Sequence, residues 1–349
     1  MQLLESQFDR KLPFVAYREP GDERVIVLLQ HDRRMVLAEG FGAAGFVMAP
    51  FRSGGARLMI RPDSIHSLES PPLMEIPVIP YPSEIDSGAQ KSAYLQGIER
   101  AKESIENGVF DKVVLSRRVL INSRAHPVEV FQALLQAYAG AFCYLWFHPD
   151  TGSWLGASPE LLLQVKGERF MTSALAGTLK YQGDEMPAWS GKELQEQGFV
   201  TDYIRNILKS KSVVHQVSEP KSVRAGRLWH LRSTISGKTG NMTAEELLEA
   251  LHPTPAVAGQ PLRDALEFIA ANEGYDRSFY TGYLGVISSD NSDEAALSLS
   301  FYVNLRCMNI RDGLASVYVG AGITAESVPE HEWQETCDKA GTMLRVLFN

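Results

Sequence analysis

Between residues 142 and 175 four apolar segments follow one another with only short gaps: Phe142–Phe147, Trp154–Gly156, Leu161–Val165 and Phe170–Leu175. Each is rich in aromatic or branched side chains, and no helix fits between them. Strands joined by such short links run antiparallel, because a parallel crossover needs a dozen residues or more. The stretch therefore points away from a doubly wound parallel sheet.

The rest of the chain extends this pattern. Strands are expected at Phe14–Tyr17, Val25–Gln30 and Arg34–Leu37, then at Lys112–Ile121, Ser212–Val217 and roughly Leu228–Ser236. Gly282–Ser288, a long Ala295–Ile310 and Ser316–Val319 complete the set. Helical periodicity marks Gln90–Asn107, Pro127–Tyr138, Glu193–Leu208, Thr243–Leu251 and Pro261–Ala271. Runs of strands interrupted by groups of helices define an α+β class. Residues 1–70 form a β-rich part. Residues 71–92 form a connector, since Ser70–Ser83 holds five prolines and can be neither a regular helix nor a central strand. No polar linker breaks residues 93–349, so the 349-residue chain is expected to be one large domain.

A net charge of −8, without a basic run, argues against nucleic acid as the main partner. It leaves room for a small anion, because a few local Arg and Lys make a positive pocket on an acidic protein. Cys143, Cys307 and Cys337 are odd in number and far apart, which suits a reducing compartment rather than a disulfide framework. No run approaches the 18 apolar residues of a membrane span, and the N-terminal residues lack a signal-peptide core. A soluble, cytoplasmic protein is expected, with no membrane partner, as a monomer or weak homodimer.

Chemistry concentrates at Ser327-Val-Pro-Glu-His-Glu-Trp-Gln-Glu-Thr-Cys-Asp-Lys339, after the glycine-broken strand Val317–Ile323. Ser327 suits an N-cap and Pro329 a first helical turn, so a helix is expected to begin there. On it Glu332, Glu335 and Lys339 share one face. Glu193 and Glu196 repeat the spacing on an earlier helix, continued by Val200, Tyr203 and Ile207. Such pairs are usually solvated surface charge. Here both abut apolar stripes, and two helices each offering carboxylates could converge on one hard cation such as Mg²⁺. Two motif-like stretches carry nothing: Ser236-Gly-Lys-Thr239 has Arg232 where a phosphate loop needs glycine, and Gly156-Ala-Ser-Pro-Glu160 lacks the second glycine of a nucleophile elbow. The histidines show no zinc spacing.

Nine segments stand in the order found in one known family. They are Asp111–Arg117, Leu155–Leu163, Leu175–Thr178, Leu228–Leu231, Leu251–Gly259, Tyr280–Gly285, Leu305–Cys307, Gly320–Ile323 and Glu332–Thr336. With these the chain resembles the chorismate-utilising enzymes, most closely the isochorismate synthases, over about residues 110 to 345. The resemblance implies two large, mostly antiparallel sheets packed face to face with helices outside, the fold of anthranilate synthase component I. It implies a Mg²⁺-dependent reaction in which water adds to C2 of chorismate as the C4 hydroxyl leaves, for menaquinone or siderophore biosynthesis.

The resemblance also implies roles. Lys112 would be the general base and Glu160 the general acid, each with its pKa displaced by its surroundings. Glu196 and Glu335 would bind Mg²⁺ directly, with Glu193 and Glu332 acting directly or through metal-bound water. Arg306 and Lys339 would hold a substrate carboxylate, with backbone N–H groups of Gly320 to Gly322 offered to the anion. Gly177, Thr178, His230 and Ala256 would line the same site. Lys112 and the His252-Pro-Thr-Pro-Ala256 segment set the chain apart from the anthranilate and aminodeoxychorismate synthases, which use ammonia. Salicylate synthases, which go on to eliminate pyruvate, share the lysine. Gln197 stands where the family usually has histidine, so a titrating role at that position is in doubt.

Overall fold

The computed structural model describes residues 1–77, 81–82, 85, 88–180, 186–225, 228–290 and 293–349. Its strands form two antiparallel sheets. The nine-stranded sheet runs, edge to edge, Gly259–Gln260, Lys112–Asn122, Leu314–Ile323, Cys307–Arg311, Gly152–Ser158, Phe142–His148, Phe14–Arg18, Arg24–Leu29 and Ser64–Glu69. The ten-stranded sheet runs His215–Val217, Leu228–Lys238, Arg169–Lys180, Leu161–Lys166, Asp293–Val303, Tyr283–Asp290, Gly45–Ala49, Leu58–Ile60 and Val36–Leu37, with Lys221–Ala225 paired onto Leu228–Lys238.

The Phe142–His148 strand explains why its sequence shows no polar alternation. Phe142, Tyr144 and Trp146 point between the sheets, while Cys143, Leu145 and Phe147 point to the outer layer with helix Pro127–Ala137. A strand buried on both faces must be apolar throughout. The sheets meet directly where Phe142 of one stacks on Tyr302 of the other, ring centroids 4.2 Å apart and 12° from parallel. The helices lie on the outer faces: Pro127–Ala137 and Pro329–Leu347 over the nine-stranded sheet, Gly191–Ser210 and Ala244–Leu251 over the other. This is the α+β, face-packed arrangement expected from the sequence.

Several details differ. The expected long strand at 295–310 is two strands, Asp293–Val303 in one sheet and Cys307–Arg311 in the other. Arg306, at the break, has φ +48°. The C-terminal helix is capped one residue later than expected, at Val328. The Ser327 hydroxyl instead accepts the Thr324 N–H at 3.1 Å, closing the turn before the helix. On helix Gly191–Ser210 the buried stripe is Gln197, Val200, Ile204 and Leu208, while Tyr203 and Ile207 are half-buried at its side. The helix Gln2–Asp9 and the strands Gly45–Ala49, Leu58–Ile60, Ser64–Glu69 and Lys221–Ala225 escaped the sequence reading. Of the 71–92 connector, residues 78–80, 83–84 and 86–87, Pro80 among them, lie outside the described residues.

Candidate active site

Two of the places where the chain leaves one sheet for the other lie side by side. Strand Gly152–Ser158 passes through Pro159–Glu160 into Leu161–Lys166, and strand Asp293–Val303 passes through Asn304–Arg306 into Cys307–Arg311. The crossings are laced together. Val303 N–H donates to Glu160 O at 3.0 Å, Ala157 N–H to Arg306 O at 3.0 Å, and the Ser158 hydroxyl to Val303 O at 2.6 Å. A carboxyl and a guanidinium thus emerge from adjacent backbone held to fixed positions.

They open into one cavity. Its walls carry Lys112, Glu160, Gly177, Thr178, Glu196, His230, Ala256, Arg306, Gly320, Gly322, Glu335 and Lys339. Twelve of the fourteen residues singled out in the sequence therefore converge. Glu193 and Glu332 do not line it. Glu193 accepts from its own helix start, Ser190 N–H at 2.9 Å and Ser190 Oγ at 2.5 Å, and Glu332 is buried one turn before Glu335.

Lys112 and Glu160 are buried and displaced in opposite directions. Burial lowers the Lys112 amine below its ordinary value. Glu196 opposes that shift, Lys339 adds to it, and Glu335 and Glu332 oppose it. Burial raises the Glu160 carboxyl to about 8 against the opposing pull of Arg306 and Lys112. Glu160 Oε1 has no hydrogen-bond partner among the described residues. A buried acceptor left alone favours the protonated acid, which needs no counter-charge.

Lys112 reaches the cavity because Gly322 lies beside it. A Cβ at Gly322 would come within 2.9 Å of Lys112 Cε and 3.3 Å of Nζ. Gly320 and Gly322 lie in the strand Leu314–Ile323 past Tyr318, where its pairing with Cys307–Arg311 ends, and both line the cavity; Gly322 also supplies room for the amine. Gly177, at φ +72°, makes room in the same way: its Cβ would sit 3.1 Å from Glu193 Cβ.

Lys339 Nζ bridges Glu335 Oε1 at 2.5 Å and Gly320 O at 2.9 Å. The His230 ring is assigned by its neighbours. Gly177 O, 2.9 Å from Nδ1, can only accept, and Arg306 Nη2, 3.3 Å from Nε2, can only donate. His230 therefore holds its proton on Nδ1 and orients Arg306. Burial and the Arg306 charge push its pKa down to about 3, which excludes acid–base work near neutrality. Gln197 is buried off the cavity, donating to Thr201 Oγ1 at 2.8 Å and Ser233 Oγ at 2.9 Å, so that position fastens helix to sheet.

Glu196 and Glu335 bring carboxylates from two helices to the cavity. Among the described residues no three His, Cys, Asp or Glu lie close enough to hold an ion by themselves. That donor set fits Mg²⁺, which binds through one or two carboxylates and fills its other positions with water or ligand oxygens.

Val257, Tyr280, Thr281 and Leu305, which the sequence reading placed in motif segments without a role, also stand in the walls. That reading missed the pair that anchors three wall segments. Arg277, bound to Glu273 at 2.5 Å with both side chains buried, donates to Val114 O at 2.7 Å, Val257 O at 2.8 Å and Thr281 Oγ1 at 3.2 Å. Glu273 Oε1 accepts the Ser116 N–H at 2.7 Å. Their i,i+4 spacing was the one signal, and in a sequence it reads as an ordinary surface pair.

Comparison with known proteins agrees with this arrangement. The isochorismate synthase EntC of Escherichia coli (strain K12) is 34% identical over 270 residues, which are 74% of this chain and 67% of that protein. The isochorismate synthase MenF of the same strain is 33% identical over 270 residues, 74% of this chain and 60% of that one. The solved structure of the menaquinone-specific MenF superposes with a TM-score of 0.78 at 23% identity, covering 96% of this chain and 88% of its own, and so shares the fold. The family model for chorismate binding enzymes matches residues 60–345, and the chain belongs to that family.

Proposed function

We propose that the protein is a Mg²⁺-dependent isochorismate synthase. The observation that carries the reading is the opposed displacement of Lys112 and Glu160 on one cavity, each toward its uncharged form. Adding water to a ring carbon while expelling a hydroxyl needs a base for the water and an acid for the leaving oxygen. A free amine and a protonated carboxyl are those two groups in their working states. Lys112 takes a proton from the water that forms the new C2–O bond. The two ring double bonds each shift, C1=C2 to C1=C6 and C5=C6 to C4=C5, the C4–O bond breaks, and Glu160 gives its proton to the departing hydroxyl. Substrate and product differ in the place of one hydroxyl, so no other reactant is consumed.

Chorismate carries two carboxylates. Arg306, aimed by His230, presents a planar donor fork for one of them. Glu196 and Glu335 would hold Mg²⁺, which supplies positive charge opposite the other carboxylate. Identity to the EntC and MenF relatives differs by one percentage point, so the assignment is to the reaction and not to a pathway. The test is chromatography of the products after incubation with chorismate and Mg²⁺, with and without ammonium. Isochorismate alone is the expected product. Release of pyruvate, or an aminated product with ammonium, would refute the assignment.

A further inference from the structure

A second cavity, of about 600 Å³, abuts the reaction cavity, whose own volume is about 90 Å³. Pro159 and Arg306 line both. The remaining walls come from elsewhere: residues 73–76 of the proline-rich connector, the turn after helix Pro127–Ala137, the last turns of the C-terminal helix, and strand Lys221–Ala225. Its charge is one-sided. Arg224, Arg306 and Arg345 line it, with Glu75 as the one acid in the lining among the described residues. On a chain of net charge −8 this concave cluster draws anions toward one place on the surface.

The walls are fastened around an open centre. Arg345 donates to Ile76 O at 3.0 Å, tying the connector to the helix, and the Tyr138 hydroxyl donates to Thr342 O at 2.9 Å. Gly140 lines this cavity, and a Cβ added there would meet nothing within 4 Å. Arg306 lines both cavities and so stands at their boundary.

We propose that the outer cavity is a loading site for a small dicarboxylate anion, which Arg224 and Arg345 collect and which then passes Arg306 into the reaction cavity. The proposal rests on the reading of the inner cavity given above, with chorismate as the dicarboxylate.

Gly140 is the place to obstruct the path without touching the chemistry. With the full chain, chorismate and Mg²⁺, Gly140→Leu and Gly140→Trp should lower kcat/KM in order of side-chain size, by about tenfold for Trp. Their Tm should stay within about 2 °C of wild type. Arg224→Glu should lower kcat/KM several-fold at about 0.02 M salt, and the loss should fade at about 0.5 M as screening shortens the reach of the charge. If Gly140→Trp melts early, Gly140→Leu and the salt dependence of Arg224→Glu carry the test. An active wild type with unchanged kcat/KM in the Gly140 variants overturns the loading site and leaves the functional assignment standing. A wild type inactive on chorismate overturns both.

Discussion

Replacing Glu160 by glutamine removes one proton equilibrium while keeping the shape of the side chain. In the unfolded chain this carboxyl titrates at 4.5, and in the fold burial holds it at about 8. Between those values the folded protein binds a proton that the unfolded chain has released. The stabilising contribution is therefore complete below pH 4.5 and is lost as pH rises through about 8. Each pH unit in that window is worth about 1.4 kcal/mol, so the whole interval amounts to about 5 kcal/mol. For a chain of this length the entropy of unfolding is about 0.7 kcal/mol per kelvin, which converts the loss to about 7 °C in Tm. Other titrating groups are common to both proteins and drop out of the difference. Thermal melts of wild type and Glu160→Gln from pH 5 to 8.5, without metal or substrate, should show the variant gaining on the wild type with rising pH by about that amount. Two parallel curves would mean that Glu160 ionises as it does in water, and the argument for a buried acid would fail. The same variant should lose about 10²- to 10⁴-fold in turnover, the usual worth of a general acid.

Lys112→Ala should abolish turnover while leaving substrate binding largely intact by calorimetry, and normal turnover in that variant would remove Lys112 from its role. In the wild type kcat/KM should fall above about pH 8 as Glu160 ionises, and fall at low pH as the Lys112 amine is protonated; a profile flat through pH 8 would contradict the assignment of the acid. Glu335→Gln should weaken Mg²⁺ binding strongly in titrations followed by calorimetry, and an unchanged affinity would take Glu335 out of the metal site. Gln197→Ala strips a partner from the buried Ser233 hydroxyl and should cost about 1–3 kcal/mol, read as a Tm loss of a few degrees with KM unchanged.

Much of the fold is legible in the chain because its strands obey local rules. The run of antiparallel strands from Phe142 onward announces itself by short links, whereas the two face-packed sheets are implied by the family resemblance alone. Short strands such as Gly45–Ala49 and Leu58–Ile60 carry too few residues for a period to stand out, and only their partners across the sheet make them strands. Ser327 looks like an N-cap in isolation, yet its hydroxyl is taken by Thr324. The residues that converge on the cavity were found through motif order. Spacing along a helix placed Glu196 and Glu335 on faces but could not say which carboxylates would reach the cavity. That depends on where each helix starts: Glu193 is drawn into capping its own first turn, and Glu332 lies one turn deeper in the protein than Glu335.

What periodicity could not show is the pair of crossings, and they are the reason the site exists. Inside a sheet every backbone group is committed to its ladder, and side chains alternate between two faces already filled by core or helices. A polar group that must be buried yet remain available to a small molecule needs a place where the ladder stops. The breaks at Pro159–Glu160 and Asn304–Arg306 are two such places, held together by the hydrogen bonds from Val303 to Glu160, Ala157 to Arg306 and Ser158 to Val303. Read as a sequence, Ala295–Ile310 is one apolar run, since the interruption of three residues is too short to disturb it. The break costs a left-handed backbone at Arg306. In return the guanidinium is released from the strand face and aimed at the cavity that holds Glu160 and Lys112. The acid and the anion-binding arginine thus owe their positions to the same interruption in two neighbouring strands, and a change that let either strand run on would move both.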